Sequence, residues 1–333
     1  MGNFTDAKDI SVKYFCNMKK LTTILIVIFL SINTYAQDTK KKRPPIIDMH
    51  MHTGLPEEIP EGTPALCRPE PCEGDGHATV NQPGLIQKTL EAMNQYNIVK
   101  GCLSGLDWSI IREWEKADPG RFIASPFILK PGNSELEKLK TEYESGHFKA
   151  MGEIGTQLMG IPPNDPSLDP YFKMAEEYDL PVLIHTAGIG PYLPHFRTAS
   201  GSPLLLEDVL IKHPKLRLYV ENAGYPYRDE MIAMMYQYPQ LYVDVSTITW
   251  VIPRTAFYDY LEAFVRAGLE KRIMFGSDQM VWPEKIGEAV EAIEQASFLT
   301  EEQKRDIFYN NAVEFLGLDT KQNKEAKHHM GKD

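Results

Sequence analysis

The sequence lacks concentrated positive charge, long apolar runs and a glycine-rich phosphate loop. Its 46 Asp and Glu residues outnumber 35 Lys and Arg residues, the net charge is −11, and the cationic residues form no stripe. Nucleic acid is therefore not an expected partner. No apolar run reaches the roughly 20 residues that span a bilayer. A dinucleotide-binding fold is disfavoured, because no Gly-rich turn follows the first predicted strand.

Cysteine is also scarce, with four residues in 333. Cys67 and Cys72 stand in the Pro-rich stretch "CRPEPC", where an oxidising compartment would favour a small disulfide. Two unpaired loop thiols are the alternative. A zinc knuckle is disfavoured, because no second Cys/His pair stands at ligand spacing. Cys102 lies in an apolar run and is expected in the core.

The first 36 residues have the layout of a secretory signal peptide. From Met18, "MKKLTTILIVIFLSINTYAQ" gives two lysines, a short apolar stretch and the pattern Thr34-Tyr35-Ala36 before Gln37. This layout predicts a start at Met18, cleavage after Ala36 and export to the periplasm or the extracellular medium. The mature chain is then not expected to insert into a membrane; a retained N-terminal anchor is the alternative. Residues 37–45 form a predicted linker and residues 319–333 a polar tail.

Between these ends, short apolar runs alternate with stretches of helical spacing. The apolar runs are residues 46–50, 98–103, 121–128, 149–154, 181–185, 216–220, 241–245 and 272–276. The helical stretches are residues 85–96, 134–146, 171–179, 203–214, 227–239, 256–268, 283–297 and 300–317. Strands joined through helices form a parallel sheet. Eight such units predict a single α/β domain over 46–318, a (β/α)8 TIM barrel with an additional C-terminal helix.

The predicted strand ends carry side chains that bind metals. In such a barrel, functional groups gather at the carboxyl ends of the strands. The first run ends in "IIDMHMH", where the alternation of a strand sends His50 and His52 to one side. Glu153, His185 and Asp278 stand at the ends of the fourth, fifth and eighth runs. Each residue alone has a structural explanation, but together they predict a site for Zn²⁺ or a similar divalent ion.

With these motifs in place, the chain resembles the amidohydrolase superfamily, in its amidohydrolase-related branch of hydrolases, lactonases and aminocarboxymuconate-semialdehyde decarboxylase-like proteins. The matching stretches, spread over residues 46–318, are "IIDMHMH", "MGEIG", "DLPVLIHTAGIGP", "LYVDVS", "RIMFGSD" and "IFYNNAVEFLGL". The resemblance implies a metal held by His50, His52, His185 and Asp278, with Asp278 also handling the proton of the attacking water. It further implies a small-molecule substrate and allows a homodimer.

The stretch after the sixth run departs from the family pattern. Where relatives place a histidine, "YVENAGYP" has Asn222, with Glu221 beside it. Asn222 could donate a hydrogen bond to a developing oxyanion and Glu221 could supply charge, so both are candidate catalytic residues. The missing imidazole argues against a standard two-metal centre, and we expect one tightly bound metal. Because some relatives bridge two metals with a strand-four glutamate, Glu153 is assigned to a supporting or second metal site.

Metal-activated water attacking an amide, ester or lactone carbonyl is the expected chemistry, with Asp278 carrying the proton. His195 and Arg197, in the loop after the fifth run, and Trp250, after the seventh, are candidate substrate-binding residues. Two alternatives remain: a metal-dependent decarboxylase of the same fold and an inactive barrel that serves in binding. Retention of the ligand set argues against the inactive barrel.

Overall fold

A computed structural model of the chain describes residues 43–54, 81, 83–188 and 195–318, with the backbone of residues 66–67 and 77–78. Eight parallel strands alternate with helices, and we number them β1 to β8 in chain order. They span Ile46–His52, Ile98–Gly105, Phe122–Pro126, Met151–Ile154, Pro181–Ile184, Arg217–Val220, Leu241–Asp244 and Ile273–Met274. Each coincides with one apolar run, so all eight predicted strands are confirmed. Leu66–Cys67 and His77–Ala78 pair separately and antiparallel.

The eight strands follow one another in chain order. β1, β2 and β3 form one parallel sheet, and β4 to β8 form a second. Between β3 and β4 the link is a bridge from Ile128 to Ile154. Between β8 and β1, the Met49 amide donates to the Phe275 carbonyl at 2.9 Å. This sequential order, without the reversal of a doubly wound sheet, confirms the predicted (β/α)8 fold.

The helices are numbered α1 to α11. They span Leu85–Tyr96, Trp108–Ala117, Asn133–Glu144, Asp169–Glu177, Glu207–Lys212, Arg228–Gln237, Ile248–Val251, Arg254–Arg266, Lys285–Glu294, Glu301–Arg305 and Asn311–Leu316. A π-helical turn, Asp306–Asn310, joins the last two. All eight predicted helical stretches contain a helix, whereas α2 and the short α7 were not predicted.

Two local predictions on these helices are confirmed. In α1, Leu85, Leu90 and Met93 are buried on one face. At the start of α10, Thr300 Oγ1 accepts a hydrogen bond from the Gln303 amide at 3.2 Å, and Gln303 Oε1 accepts one from the Thr300 amide at 2.9 Å. This capping box satisfies amides that have no partner within the helix.

The core has two layers, separated by the strands. An outer cluster fills the space between strands and helices, and an inner cluster includes Ile47, Met49, Cys102 and Tyr219. Cys102 is thus buried as predicted. Phe315 of α11 joins the inner cluster, with its ring 5.4 Å from that of Tyr219. The predicted C-terminal helix therefore covers the inner core near the beginning of β6.

Several predicted features lie outside the described residues. These are the leader, residues 37–42 of the linker, the polar tail, Cys72 and the side chain of Cys67, so the proposed disulfide stays a prediction. Among the residues that are described, no helix combines the length and apolar character needed to cross a membrane.

Candidate metal centre

The carboxyl ends of β1, β4 and β8 bring four predicted ligands together. His50 and His52 lie on the same side of β1, with 3.1 Å between their Nε2 atoms. His52 Nε2 lies 3.2 Å from Glu153 Oε2 and 3.1 Å from Asp278 Oδ1. His50 Nε2 lies 3.6 Å from the same two carboxylate oxygens. The paired imidazoles therefore face the strand-eight carboxylate and the strand-four carboxylate at once.

His185 and Glu221 complete the cluster from the ends of β5 and β6. His185 Nδ1 lies 3.2 Å from Glu153 Oε1, and Glu221 Oε1 lies 3.6 Å from His50 Nε2. Ligand atoms of Glu153, His185 and Glu221 all lie within 4.8 Å of one another, as do those of His50, His52 and Glu153. The structure thus gathers six side chains that the sequence singled out.

Several of these atoms are buried and lack a hydrogen-bond partner among the described residues. They are Glu153 Oε2, His185 Nε2, both carboxylate oxygens of Glu221, and Asp278 Oδ1. Buried polar atoms are nearly always hydrogen-bonded or bound to an ion, because leaving one unpaired is costly. Imidazole nitrogens and carboxylate oxygens are ligands of Zn²⁺ and Mn²⁺. The residues present therefore fit a divalent metal ion.

The electrostatics of the cluster are dominated by its buried acids. Burial raises the pKa of Glu221 well above its usual value, and the charge of Glu153 raises it further. Burial would also raise the pKa of Glu153, but the neighbouring imidazoles of His185 and His50 outweigh it and lower that pKa. For Asp278, burial is likewise outweighed, mainly by the charge of His50, so its pKa is lowered. Glu153 and Asp278 therefore favour the charged form, whereas Glu221 favours the neutral form.

The orientation of His50 is fixed by β7 and the loop after it. His50 Nδ1 lies 2.8 Å from Ser246 Oγ and 3.3 Å from Asp244 Oδ2. With its Nδ1 hydrogen directed to these oxygens, the ring presents the Nε2 lone pair to the cluster. Gly276 allows this approach, because a Cβ there would lie 2.9 Å from the Cβ atoms of both His50 and Ser246.

Ser104, Asp244 and Ser246 were not predicted. Ser104 Oγ lies 3.1 Å from His52 Nδ1 and orients that ring from β2. Asp244 is the last residue of β7, so the rule that places functional groups at the carboxyl ends of strands also applies to it. Ser246 carried no comparable sequence signal, because it lies two residues beyond the end of β7 and acts on the cluster through the ring of His50.

Asn222, predicted to be catalytic, holds the loop after β7. Its Oδ1 accepts hydrogen bonds from Ser246 Oγ and from the Thr247 amide, both at 3.0 Å. Its backbone amide donates to Asp244 Oδ1 at 2.9 Å. Asn222 has a positive φ of 59°. Its neighbour Glu221 is the residue that contacts the cluster, and the oxyanion role of Asn222 stays a prediction.

The three predicted substrate-binding residues lie in different environments. Trp250 is buried, and its Nε1 donates to the Ser277 carbonyl at 2.8 Å, next to Asp278. Arg197 is exposed, and its guanidinium donates to the Phe196 carbonyl at 2.8 Å. His195 is also exposed. Their contacts with a substrate stay predictions.

Ser246→Ala should weaken divalent-metal binding by about 10- to 100-fold, because the ring of His50 loses its nearest orienting contact. Titration against a chromophoric chelator measures the change in Kd. Ser125→Ala is the matched control, since Ser125 is also fully buried but its hydroxyl has no hydrogen-bond partner within the described part of the chain. Equal Kd values for the two variants would contradict the positioning role.

Comparison with known proteins places this centre in a family. A family model described as amidohydrolase matches residues 47–318. No curated protein matches the chain. A solved TIM-barrel protein from Bordetella bronchiseptica is 18% identical, with a TM-score of 0.59, and the match covers 82% of this chain and 98% of that one.

Two further solved structures have named activities. A probable 2-pyrone-4,6-dicarboxylic acid hydrolase from Acinetobacter baumannii is 13% identical, with a TM-score of 0.58, covering 82% of this chain and 99% of that one. A manganese complex of 5-carboxyvanillate decarboxylase from Novosphingobium aromaticivorans is 16% identical, with a TM-score of 0.50, covering 69% and 79%. At these identities the likeness establishes the fold. The family model matches most of the chain, including every strand end that carries the cluster, and the chain therefore belongs to the amidohydrolase family.

Proposed function

We propose that the protein is a metal-dependent hydrolase in which water attacks an amide, ester or lactone carbonyl. The observation that carries this proposal is the set of buried ligand atoms without hydrogen-bond partners, above all Glu153 Oε2 and Asp278 Oδ1, beside the paired imidazoles of β1. The family is one of enzymes, and its solved relatives include a named hydrolase. Zn²⁺ and Mn²⁺ both suit the ligand set.

When bound, a divalent ion supplies the Lewis acidity that makes water nucleophilic near neutral pH. We assign to Asp278 the handling of the proton of that water. Its Oδ2 accepts a hydrogen bond from the Thr247 hydroxyl, which leaves Oδ1, the oxygen facing His52, to take the proton. The same oxygen would then deliver the proton to the leaving group.

Asn222 would contribute to the stabilisation of the oxyanion through its side-chain nitrogen. Its Oδ1 is already engaged by Ser246 and Thr247, and only the NH₂ group has hydrogens to donate. Fixing the oxygen in this way holds the amide in one orientation before substrate arrives. Such a preorganised donor typically contributes about 3–4 kcal/mol to transition-state stabilisation.

The experiment is a screen of purified protein, loaded with Zn²⁺ or Mn²⁺, against esters, lactones including pyrones, and amides. Acid release should depend on the metal, should disappear with a chelator and should return when the metal is restored. His50→Asn is the matched inactive variant, because the change removes an imidazole from the cluster. Release of CO₂ from a carboxylated substrate, without hydrolysis of any ester, lactone or amide, would replace this proposal with a decarboxylase.

We also propose that the mature chain is exported. Support comes from the signal-peptide layout of residues 18–36, ending in Thr34-Tyr35-Ala36. The full-length gene expressed in a Gram-negative host should give a periplasmic or extracellular protein whose N-terminus is Gln37. A full-length cytoplasmic product would refute cleavage, and a membrane-bound product that retains the leader would support the anchor instead.

A further inference from the structure

We infer that Gln279 is a positioning residue, which holds the backbone of His52 and so keeps the imidazole of His52 against the carboxylate of Asp278. Gln279 is fully buried, in the segment that follows β8, and it comes one residue after the stretch "RIMFGSD". This inference rests on the metal dependence of the proposed function. It adds a residue that neither binds the ion nor takes part in proton transfer.

The carboxamide of Gln279 pairs with both polar backbone groups of His52. Its Oε1 accepts a hydrogen bond from the His52 amide at 3.1 Å, and its Nε2 donates to the His52 carbonyl at 2.6 Å. In a regular parallel ladder, the amide and the carbonyl of one residue bond to two different residues of the neighbouring strand. Here one side chain takes the place of that neighbouring strand.

The backbone beyond β8 turns away from β1 at this point. β8 ends at Met274, and the Asp278 amide still donates to the His50 carbonyl of β1 at 2.8 Å. Asp278 and Met280 then have positive φ values of 47° and 46°, which do not occur in an extended strand. The Gln279 side chain therefore supplies the hydrogen bonds to β1 that the turning backbone cannot supply.

These hydrogen bonds act on the distance between two side chains of the cluster. Gln279 follows Asp278 directly, so the bonds join the backbone that carries Asp278 to the backbone that carries His52. His52 Nε2 lies 3.1 Å from Asp278 Oδ1, although the two strands meet only where the barrel closes. From the other side, Ser104 of β2 lies 3.1 Å from His52 Nδ1 and orients the ring. His52 is thus held by its ring from β2 and by its backbone from the end of β8.

Asn311 gives a comparison at the opposite end of the same strand. Its side chain is also buried, and its Nδ2 donates to the carbonyls of Glu270 and Ile273 at 2.8 Å and 2.7 Å. Both carboxamides pair with backbone groups that would otherwise be left unpaired, so the loss of either should lower stability. Gln279 differs from Asn311 because it acts beside the cluster. The loss of Gln279 should therefore also change the metal site.

The test replaces each carboxamide with an apolar side chain of similar size and uses Co²⁺ alone as the probe. Gln279→Met should raise the Kd for Co²⁺ by about 10-fold or more. It should also change the visible absorption of bound Co²⁺, because these bands depend on the geometry of the ligands. Asn311→Leu should lower the midpoint of thermal unfolding but keep the Kd and the spectrum of the parent protein. Equal Kd values for the two variants, or a parent-like spectrum in Gln279→Met, would overturn the positioning role.

A second measurement needs no variant to fold. In the metal-free parent protein, amide hydrogen exchange followed by NMR should show the His52 amide protected as strongly as the Thr53 amide, which donates to the Ser104 carbonyl at 3.0 Å. In Gln279→Met, protection should be lost at His52 and kept at Thr53. A His52 amide that exchanges in the parent protein at the rate of an unbonded amide would overturn the inference.

The outcomes for Gln279 and for the proposed function can be told apart, because neither measurement uses a substrate. A parent protein that binds no Co²⁺ would refute the metal dependence on which the inference rests. A parent protein that binds Co²⁺ but hydrolyses nothing in the screen would refute the hydrolase, and the comparison of Gln279→Met with Asn311→Leu would still decide the role of Gln279.

Discussion

Asp278→Asn should lower kcat/KM on the substrate that the screen identifies by about 100- to 10,000-fold, in buffer that saturates the metal. Asparagine retains one oxygen to accept the hydrogen bond from Thr247, but an NH₂ group then replaces Oδ1, and this group cannot take a proton from water. Steady-state kinetics on protein whose metal content has been measured separates this loss of proton transfer from a loss of metal.

Asp259→Asn is the matched control, because it makes the same chemical change at an exposed position of α8. Its kinetics should equal those of the parent protein. If Asp278→Asn retained activity within a few-fold of the parent, another group would have to be the base. Glu221 and Glu153 would be the next residues to replace, since both lie in the same cluster.

Gly152→Ala should destabilise the protein by about 3 kcal/mol or more. Gly152 has a φ of 117°, and a Cβ there would lie 2.2 Å from the carbonyl oxygen of Leu183 in β5. That oxygen belongs to a backbone held in a parallel ladder, so it cannot move aside cheaply. Because Gly152 precedes Glu153, the strain would act directly on the carboxylate of Glu153. Urea unfolding followed by circular dichroism measures the loss.

Gly120→Ala separates the cost of a positive φ from the cost of the contact with the carbonyl oxygen of Leu183. Gly120 also has a positive φ, 80°, but a Cβ there would meet nothing within 4 Å. Only the backbone cost of about 1–2 kcal/mol for a left-handed L-residue applies. Equal losses of stability in the two variants would show that the contact with Leu183 is not what requires glycine at residue 152.

The fold was predictable because each strand is a short apolar run between turn signals, and because β-α alternation leaves few topologies. Strand length was less predictable: β8 is only Ile273–Met274, and the chain beyond it is positioned by side chains of other strands. Asp48 Oδ1, for example, accepts a hydrogen bond from the Ser277 amide at 2.9 Å. This role of Asp48 was not predictable, because a contact across 229 positions leaves no local pattern in the sequence.

The members of the candidate site were predictable, but their grouping was not. Strand-end position selected His50, His52, Glu153, His185 and Asp278. It could not show that Glu153 lies between two groups of ligands, because that depends on the direction of each carboxylate oxygen. Which of Glu221 and Asn222 contacts the cluster depends on the backbone, since the positive φ of Asn222 turns the chain just after Glu221. Backbone handedness at a single non-glycine residue is not visible in a sequence.

The position of α11 has a consequence for how the chain is made. Phe315 enters the inner cluster beside Tyr219, and the guanidinium of Arg305 donates to the Pro45 carbonyl, 260 positions earlier. While residues 305–316 are still inside the ribosomal tunnel, α11 cannot cover the inner cluster. Water can then reach that cluster from the side where β6 begins. We expect the final compaction to begin only after residues 305–316 have left the tunnel, since long-range closure of this kind is slow. The emerging barrel therefore has an exposed inner cluster, which becomes buried when α11 packs against it.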